Sequence, residues 1–354
     1  MHTTWEPRLS TLYRPPPIPN RSGSPIDRRT HFQKAARRLQ AGDTLWVKDH
    51  YRTGVGVIEA LVAALRPPDD AADFPAKQRY RLDYRDHAWR LLAPIENGRI
   101  ALHGAPEIGF LEELYPDHQS FWLPWPEVRH LANAWHHYNV GVYMPVLGYR
   151  LHPFYGAYLP KRTTHLELFA TWLSGWKGSR GVAIDVGTGS GVIALMLARA
   201  GFSQVIATDI NPNACESVRR EIARRPDPPS IDVWQADLLG DEPVSADLIV
   251  FNPPWTQGPV DNLLDRALHY DDDLFQRFFD QAHRCLAPGG RVVVVFSNVI
   301  RLVQPDVPHP IDAELERGRF ELVTKNVRRI KPAPGGPKPA RRTRERVEVW
   351  ELRV

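Results

Sequence analysis

Five short apolar, β-branched runs recur along the second half of the chain: VAIDV (182–186), VIATD (205–209), IDVWQAD (231–237), DLIVFN (247–252) and RVVVVF (291–296). A strand buried on both faces reads as such a run, and a parallel neighbour is reached only through a crossover of a dozen or more residues. Stretches of that length separate the runs, except for the nine residues between the third and fourth, so the pattern predicts a parallel sheet with helices on both faces. Two further runs, ELVTKNV (321–327) and the terminal RVEVWELRV, have no helical pattern between them. They are expected to close the sheet as an antiparallel hairpin, giving an α/β fold with seven mostly parallel strands.

The preceding residues differ in texture. Residues 1–42 are rich in proline and arginine, with RPPPIPNRSGSP at 14–25, and are read as an irregular arm. Residues 43–150 are expected to form a mixed α+β accessory domain, read as substrate-binding, and 151–354 the sheet domain. Within 43–150, GVGVIEALVAALRPP reads as a helix stopped by Pro67-Pro68, and WRLLAPIENGRIAL as a strand pair around an Asn-Gly turn. Val128, Leu131, Trp135 and Tyr138 recur at helical spacing ahead of Gly141.

Charge and cysteine usage narrow the setting. Between Lys325 and Arg346 nine basic residues stand against one acid, Glu345, a balance that suits either contact with a polyanion or a solvated Pro/Gly-rich loop. Cys215 and Cys285 are far apart and outside metal-ligand spacing, which favours a reducing compartment. No apolar run approaches the roughly 18 residues needed to span a bilayer, and the N-terminus lacks the layout of a secretory signal. A cytoplasmic protein that contacts no membrane is expected.

AIDVGTGSGVIALMLARAG passes from a strand through a glycine-rich turn into an amphipathic helix, so Gly187, Gly189 and Gly191 let the backbone approach a ligand near a helix N-terminus. Gly189-Ser190-Gly191-Val192-Ile193-Ala194 fits the pattern used for dinucleotides, and Gly187-x-Gly189-x-Gly191 fits the tighter turn of nucleoside-binding methyltransferases. Asp185, two residues ahead of the first glycine, would repel a pyrophosphate and attract an ammonium. Asp209 closes the second strand at the spacing of a carboxylate that accepts from ribose hydroxyls. Asp237, after the third strand, is placed for an adenine amino group with Leu238 beside the ring. In an open parallel sheet these strand ends converge on one crevice.

DVGTGSG, ATDINP, QADLL, FNPPW and CLAPGG follow one another in order over roughly residues 150–354. In this the chain resembles the class I S-adenosylmethionine-dependent methyltransferases with an Asn-Pro-Pro-aromatic motif, of the HemK/PrmC type and its relatives acting on ribosomal RNA guanines. The resemblance implies a Rossmann-like fold and S-adenosyl-L-methionine as cofactor, with Thr188, Ile210, Leu238 and Asn252 joining the glycines and acids around it. It places Asn252, Pro253, Pro254 and Trp255 at the reacting centre. There the Asn252 oxygen and the Pro253 carbonyl would hold the hydrogens of an NH2 group, and Trp255 would stack on its plane. The acceptor would be an amide or exocyclic amino nitrogen of a protein glutamine or a nucleic-acid base. A small nitrogenous metabolite remains an alternative, as does a non-catalytic nucleotide-binding module or an NAD-dependent oxidoreductase.

The HemK-like enzymes carry a Pro-Arg-Pro-Glu-Thr-Glu segment ahead of the first strand. Pro160, Thr164 and Leu166 match it, whereas Lys161, Arg162, Thr163 and His165 stand where the family has Arg, Pro, Glu and Glu. Phe154, Tyr155, Tyr158, Pro160, Thr164 and Trp255 are the candidates for lining the cofactor or acceptor pocket. No metal is expected: adjacent His136 and His137 point to different sides of a helix, and HYDDDLF reads as the acidic start of a helix at 274–286.

Overall fold

The computed structural model describes residues 11–66, 74–160, 162–241, 243–258, 269–330 and 344–354. It divides into two units, 12–139 and 140–354. The N-terminal unit contains β1 (Ser24–Ile26), α1 (Phe32–Gln40), β2 (Leu45–Val47), α2 (Tyr51–Leu65), α3 (Phe74–Ala88), β3 (Leu91–Glu96), β4 (Arg99–Ile100), α4 (Phe110–Leu114), β5 (Ser120–Pro124) and α5 (Trp125–Val140). Strands β1, β2 and β3 are parallel, while β4 and β5 pair antiparallel with β3. The β3–β4 turn has Asn97 and Gly98 both at positive φ, as the Asn-Gly dipeptide requires of a two-residue hairpin. The expected irregular arm is corrected here. Its prolines at 15–17 and 19 precede a real strand and helix, β1 and α1, and Ile18 exchanges two main-chain hydrogen bonds with Trp122 (3.0 and 2.8 Å). A three-residue strand takes its identity from its neighbour, here β2, and carries no periodic signal of its own.

The C-terminal unit opens with a small hairpin, β6 (Val142–Met144) and β7 (Tyr149–Leu151), then α6 (Thr164–Ser174). It continues as β8 (Val182–Val186), α7 (Val192–Arg199), β9 (Gln204–Asp209), α8 (Pro212–Ala223), β10 (Ile231–Gln235), β11 (Ala246–Phe251), β12 (Thr256–Gln257), β13 (His269–Tyr270), α9 (Leu274–Cys285) and β14 (Leu286–Ser297). It ends with α10 (Val299–Val303), α11 (Pro310–Glu316), β15 (Glu321–Arg329) and β16 (Arg346–Arg353). Seven strands form one sheet in the order β10-β9-β8-β11-β14-β16-β15. Only β16 runs against its neighbours, so the mostly parallel sheet and its terminal hairpin are as expected.

Alternation along each strand divides the core in two. Ala183, Val205, Ala207, Leu248, Val250, Val293 and Val295 face the helices α6, α7 and α8. Ile184, Ile206, Ile249, Phe251, Val292 and Val294 face Phe275, Phe278 and Phe279 of α9. The chain winds outward from β8 through β9 to β10, then returns to lay β11 on the other side of β8. Strand order reverses between β8 and β11, and the crevice at the carboxyl ends of two such strands is where an open α/β sheet holds a ligand. Gly187 and Asn252 are the residues that leave those two strands.

Candidate active site

The glycine turn after β8 depends on three left-handed residues, Gly187, Gly189 and Gly191, at φ +64°, +55° and +81°. A Cβ on Gly189 would lie 2.9 Å from the Tyr158 carbonyl oxygen, so an alanine there would meet both strain and backbone. Hydrogen bonding within the turn decides between ligands. The N–H groups of Thr188, Gly189, Ser190 and Gly191 donate to Thr208 O, Asp209 Oδ2, Tyr158 O and Thr188 O, at 2.8, 2.9, 3.0 and 2.9 Å. A dinucleotide's pyrophosphate needs such donors free and meets two carboxylates instead, so the turn does not suit it. The two carboxylates suit a ligand that carries positive charge.

Asp185 lies beneath the turn at 1% exposure, where its Oδ2 accepts from Thr188 Oγ1 at 2.7 Å and Ala194 N at 2.9 Å. Burial, reinforced by the nearby Asp209 charge, pushes its carboxyl up to about 7 against those two bonds. Its place is therefore a pin that holds turn and helix together, with Thr188 between it and the crevice. Asp209 bridges β9 and the turn, accepting from Asn211 N and Gly189 N, both at 2.9 Å, and burial raises its pKa also. Beyond it Ile210 is half-buried, and Asn211 caps α8 by accepting from Asn213 N at 3.0 Å. Asp237 is exposed and already committed: Arg277 reaches it at 2.6 Å and also faces Asp273 at 3.1 Å and Asp271 at 3.6 Å. Of the acids expected to favour the start of α9 through its dipole, Asp271 and Asp273 thus serve Arg277 and Asp272 accepts from Gln257 Nε2 at 2.5 Å, and Asp273 makes no side-chain cap bond. Leu238 follows at φ +58°, buried.

At the end of β11, Asn252 Oδ1 is buried with no hydrogen-bond partner among the described residues. Pro253 is buried, and Pro254 and Trp255 are half-buried. Trp255 packs against both halves of the core, and His165 of α6 stands edge-on to it at 5.2 Å and 88°. His165 is 3% exposed, neither ring nitrogen has a partner among the described residues, and burial pushes its pKa down to about 4. Downstream, Gln304 clamps the corner: its Oε1 accepts from Gln257 N at 3.1 Å and its Nε2 donates to Gln257 O at 3.0 Å. His165, Arg277 and Gln304 were not singled out from sequence as site residues. His165 alone carried a signal, its departure from the family's glutamate.

Phe154 and Tyr155 are corrected. Both are buried along α8, where Phe154 N donates to Ser217 Oγ at 3.0 Å, Arg220 lies 4.3 Å over the Phe154 ring, and Asn213 Nδ2 donates to Tyr155 O at 2.9 Å. These contacts tie the strap 152–158 to α8 and leave the two rings no surface for a ligand. Tyr158 is 40% exposed and sits on the glycine turn through its carbonyl. Pro160 is buried, Thr164 begins α6 half-buried, and Lys161 lies outside the described residues. No group of three or more metal-ligating side chains occurs among the described residues, and no helix of theirs is long and apolar enough to cross a membrane.

The family model described as the methyltransferase small domain matches residues 167–306. The chain is 34% identical over 134 residues to a tRNA1(Val) (adenine(37)-N6)-methyltransferase of Parabacteroides distasonis, covering 36% of this chain and 56% of the relative. It is 35% identical over 158 residues to a ribosomal RNA small subunit methyltransferase C of Chromohalobacter salexigens, covering 45% of this chain and 41% of the relative. A ribosomal protein L11 methyltransferase of Pelotomaculum thermopropionicum is 34% identical over 120 residues, covering 34% of this chain and 33% of the relative. The chain thus spans between a third and just over half of these relatives' lengths. The domain match and these relatives support a class I S-adenosylmethionine-dependent methyltransferase of the HemK/PrmC-like type over residues 167–306, the stretch that carries the glycine turn, the acids at successive strand ends and the Asn-Pro-Pro-Trp corner.

Proposed function

We propose that the protein transfers a methyl group from S-adenosylmethionine to a planar NH2 group, an exocyclic amine of a nucleic-acid base or a glutamine amide. The observation that carries this reading is the buried, unpartnered Asn252 Oδ1 at the carboxyl end of β11. A buried acceptor left unsatisfied costs roughly 1–3 kcal/mol, so a site that retains one is built for a donor brought by its ligand. The cofactor would be held by the turn at 187–191, by Asp209 and Ile210, and by Leu238 beside the Asp237–Arg277 pair, with Asp185 pinning the turn from below. Bound there, it supplies a sulfonium methyl open to in-line attack.

An amide or aromatic amine is a poor nucleophile because its lone pair is delocalised. Asn252 Oδ1 and the Pro253 carbonyl accept its two N–H bonds, which favours the pyramidal nitrogen of the transition state over the flat ground state. Two consecutive prolines fix the backbone that carries both acceptors, and Gln304 holds the chain just beyond them. Trp255, braced by His165, gives the acceptor's plane a face to stack on. The surplus proton leaves the nitrogen to water.

The names of the relatives, one a tRNA adenine N6-methyltransferase, one an rRNA methyltransferase and one a ribosomal-protein methyltransferase, support an acceptor in nucleic acid or protein, and the first gives a nitrogen as the atom methylated. The N-terminal unit, with its own sheet, is assigned to recognising the surroundings of the acceptor. A labelled-methyl transfer assay on fractionated extract tests the reading. Label in an amine of RNA or DNA, or in a glutamine amide, is expected; label on oxygen or carbon, or binding of NADH without S-adenosylmethionine, would overturn it.

A further inference from the structure

We infer that Arg329, Arg344 and Arg346 form a phosphate-binding site for single-stranded RNA on the sheet rim that carries the acceptor corner, an inference that rests on the amino-nitrogen reading for its purpose but not for its test. Register fixes the placement. Phe251 pairs with Val294, and Ser297, three residues further toward the carboxyl end of β14, pairs with Val347 at the start of β16. Arg346 therefore stands on the rim where β8, β9 and β11 end, and Arg329 is directly opposite it on β15. By strand spacing and rise, Arg346 lies roughly 15 Å from Asn252, a span that neighbouring nucleotides of one strand can bridge.

Two arginines opposite each other on an antiparallel pair have Cβ atoms about 5 Å apart and repel, an arrangement that destabilises a hairpin unless an anion joins it. Arg329, Arg344 and Arg346 are all exposed, and no described carboxylate pairs with any of them. The acids nearest in sequence are taken: Glu345 faces Arg162 at 3.8 Å, and Glu348 faces Lys325 at 3.1 Å. The remaining basic side chain at the end of β15, Arg328, turns to the other face and meets Glu167 at 3.8 Å. Three cations are left over, and they are not loosely strung.

The backbone bearing them is fixed. Asn298 Oδ1 accepts from Arg346 N at 2.8 Å and Asn298 Nδ2 donates to Arg344 O at 3.2 Å, while Ser297 Oγ and Asn298 N donate to Arg346 O at 3.0 and 3.1 Å. All three side chains are guanidinium forks, whose paired donors match phosphate oxygens. Burial of apolar partner surface plays no part, so the contact is set by charge and responds to salt.

Fluorescence anisotropy of the full chain with a 5′-labelled 12-nucleotide uridylate tests the site. The triple variant Arg329→Gln, Arg344→Gln, Arg346→Gln should bind at least about ten-fold more weakly at low salt, and the slope of log K against log salt should fall by about 2, the value for three single-strand phosphate contacts. S-adenosylhomocysteine affinity by calorimetry should stay unchanged, which shows the fold intact. Arg329→Gln alone, on an exposed edge strand, should lose about three-fold or more. A variant that binds the oligonucleotide like the wild type, a wild type that does not bind it, or polyglutamate of equal length competing as well as RNA would each overturn the inference. Undiminished methyl transfer to RNA by the triple variant sinks this site and leaves the amino-nitrogen reading intact. RNA binding that collapses in the variant, with no transfer to any nitrogen by the wild type, does the reverse.

Discussion

Replacing Asp185 by Asn isolates the electrostatic cost of the site. Asp185 is fully enclosed, and burial with the Asp209 charge raises its carboxyl from the ordinary 3.8 to about 7. Between those two values the folded protein keeps a proton that the unfolded chain has released, so stability falls as pH rises through this window and levels off above it. At about 1.4 kcal/mol per pH unit the full effect is about 4 kcal/mol, of which about 3 kcal/mol falls between pH 5 and 8. Asparagine offers one amide oxygen to the same two donors, Thr188 Oγ1 and Ala194 N, and cannot ionise. Urea unfolding at the two pH values reads the difference, following in the wild type the transition that S-adenosylhomocysteine displaces. Asp185→Asn should gain about 3 kcal/mol on the wild type in going from pH 5 to pH 8. A difference that stays constant to within about 0.5 kcal/mol would show that Asp185 ionises without penalty, and the reasoning would fail.

Three other replacements separate cofactor from acceptor functions. Asn252→Ala should lower methyl transfer on the order of 100-fold while S-adenosylhomocysteine affinity changes little; wild-type turnover would remove Asn252 from the reacting centre. Gln304→Ala deletes both clamp bonds on Gln257 and should lower kcat about ten-fold at unchanged cofactor affinity, because misplacement of the acceptor corner is felt in the chemical step. An effect confined to thermal stability would make Gln304 a fold residue only. His165→Phe keeps the edge-on contact with Trp255 and removes two unpartnered ring nitrogens, so the fold should be as stable or more so; by the reasoning applied to Asn252 Oδ1 those buried nitrogens await a polar group of the acceptor, and kcat/KM for it should fall about ten-fold. Unchanged kcat/KM would assign His165 to packing alone.

What sequence could show divides along the distance over which each signal acts. The sheet was legible because strands buried on both faces carry their apolar character locally, as in RVVVVF, and the glycine turn because three positive φ values need three glycines. The misses are non-local. Asp237 was expected to stand free for an adenine, but Arg277, forty residues on, reaches it. Phe154 and Tyr155 look from sequence like pocket aromatics, and only the position of α8 some sixty residues later shows that Ser217, Arg220 and Asn213 fix them elsewhere. Gln257 and Gln304 are forty-seven residues apart and carry no motif at all.

Charge shows the same division, and sheet order turns it into mechanism. Along the sequence the acids and the basic segment are separated only as an uneven distribution. Folded in the order β10-β9-β8-β11-β14-β16-β15, the rim has Asp209 and the Arg277-paired Asp237 on one side, with Asp185 enclosed beneath, the uncharged Asn252 in the middle and Arg346 and Arg329 on the other. On the function and the arginine site proposed above, a cationic methyl donor would be drawn to the first side and a polyanionic acceptor to the second, each repelled from the other's place. The two would then meet at β11, whose Asn-Pro-Pro-Trp corner needs no charge of its own because the task proposed for it is to hold an uncharged NH2 in line. Reversing the outer charges would weaken encounter on both sides while leaving the corner's geometry intact, which is why cofactor affinity, RNA affinity and kcat are expected to respond to three different sets of residues.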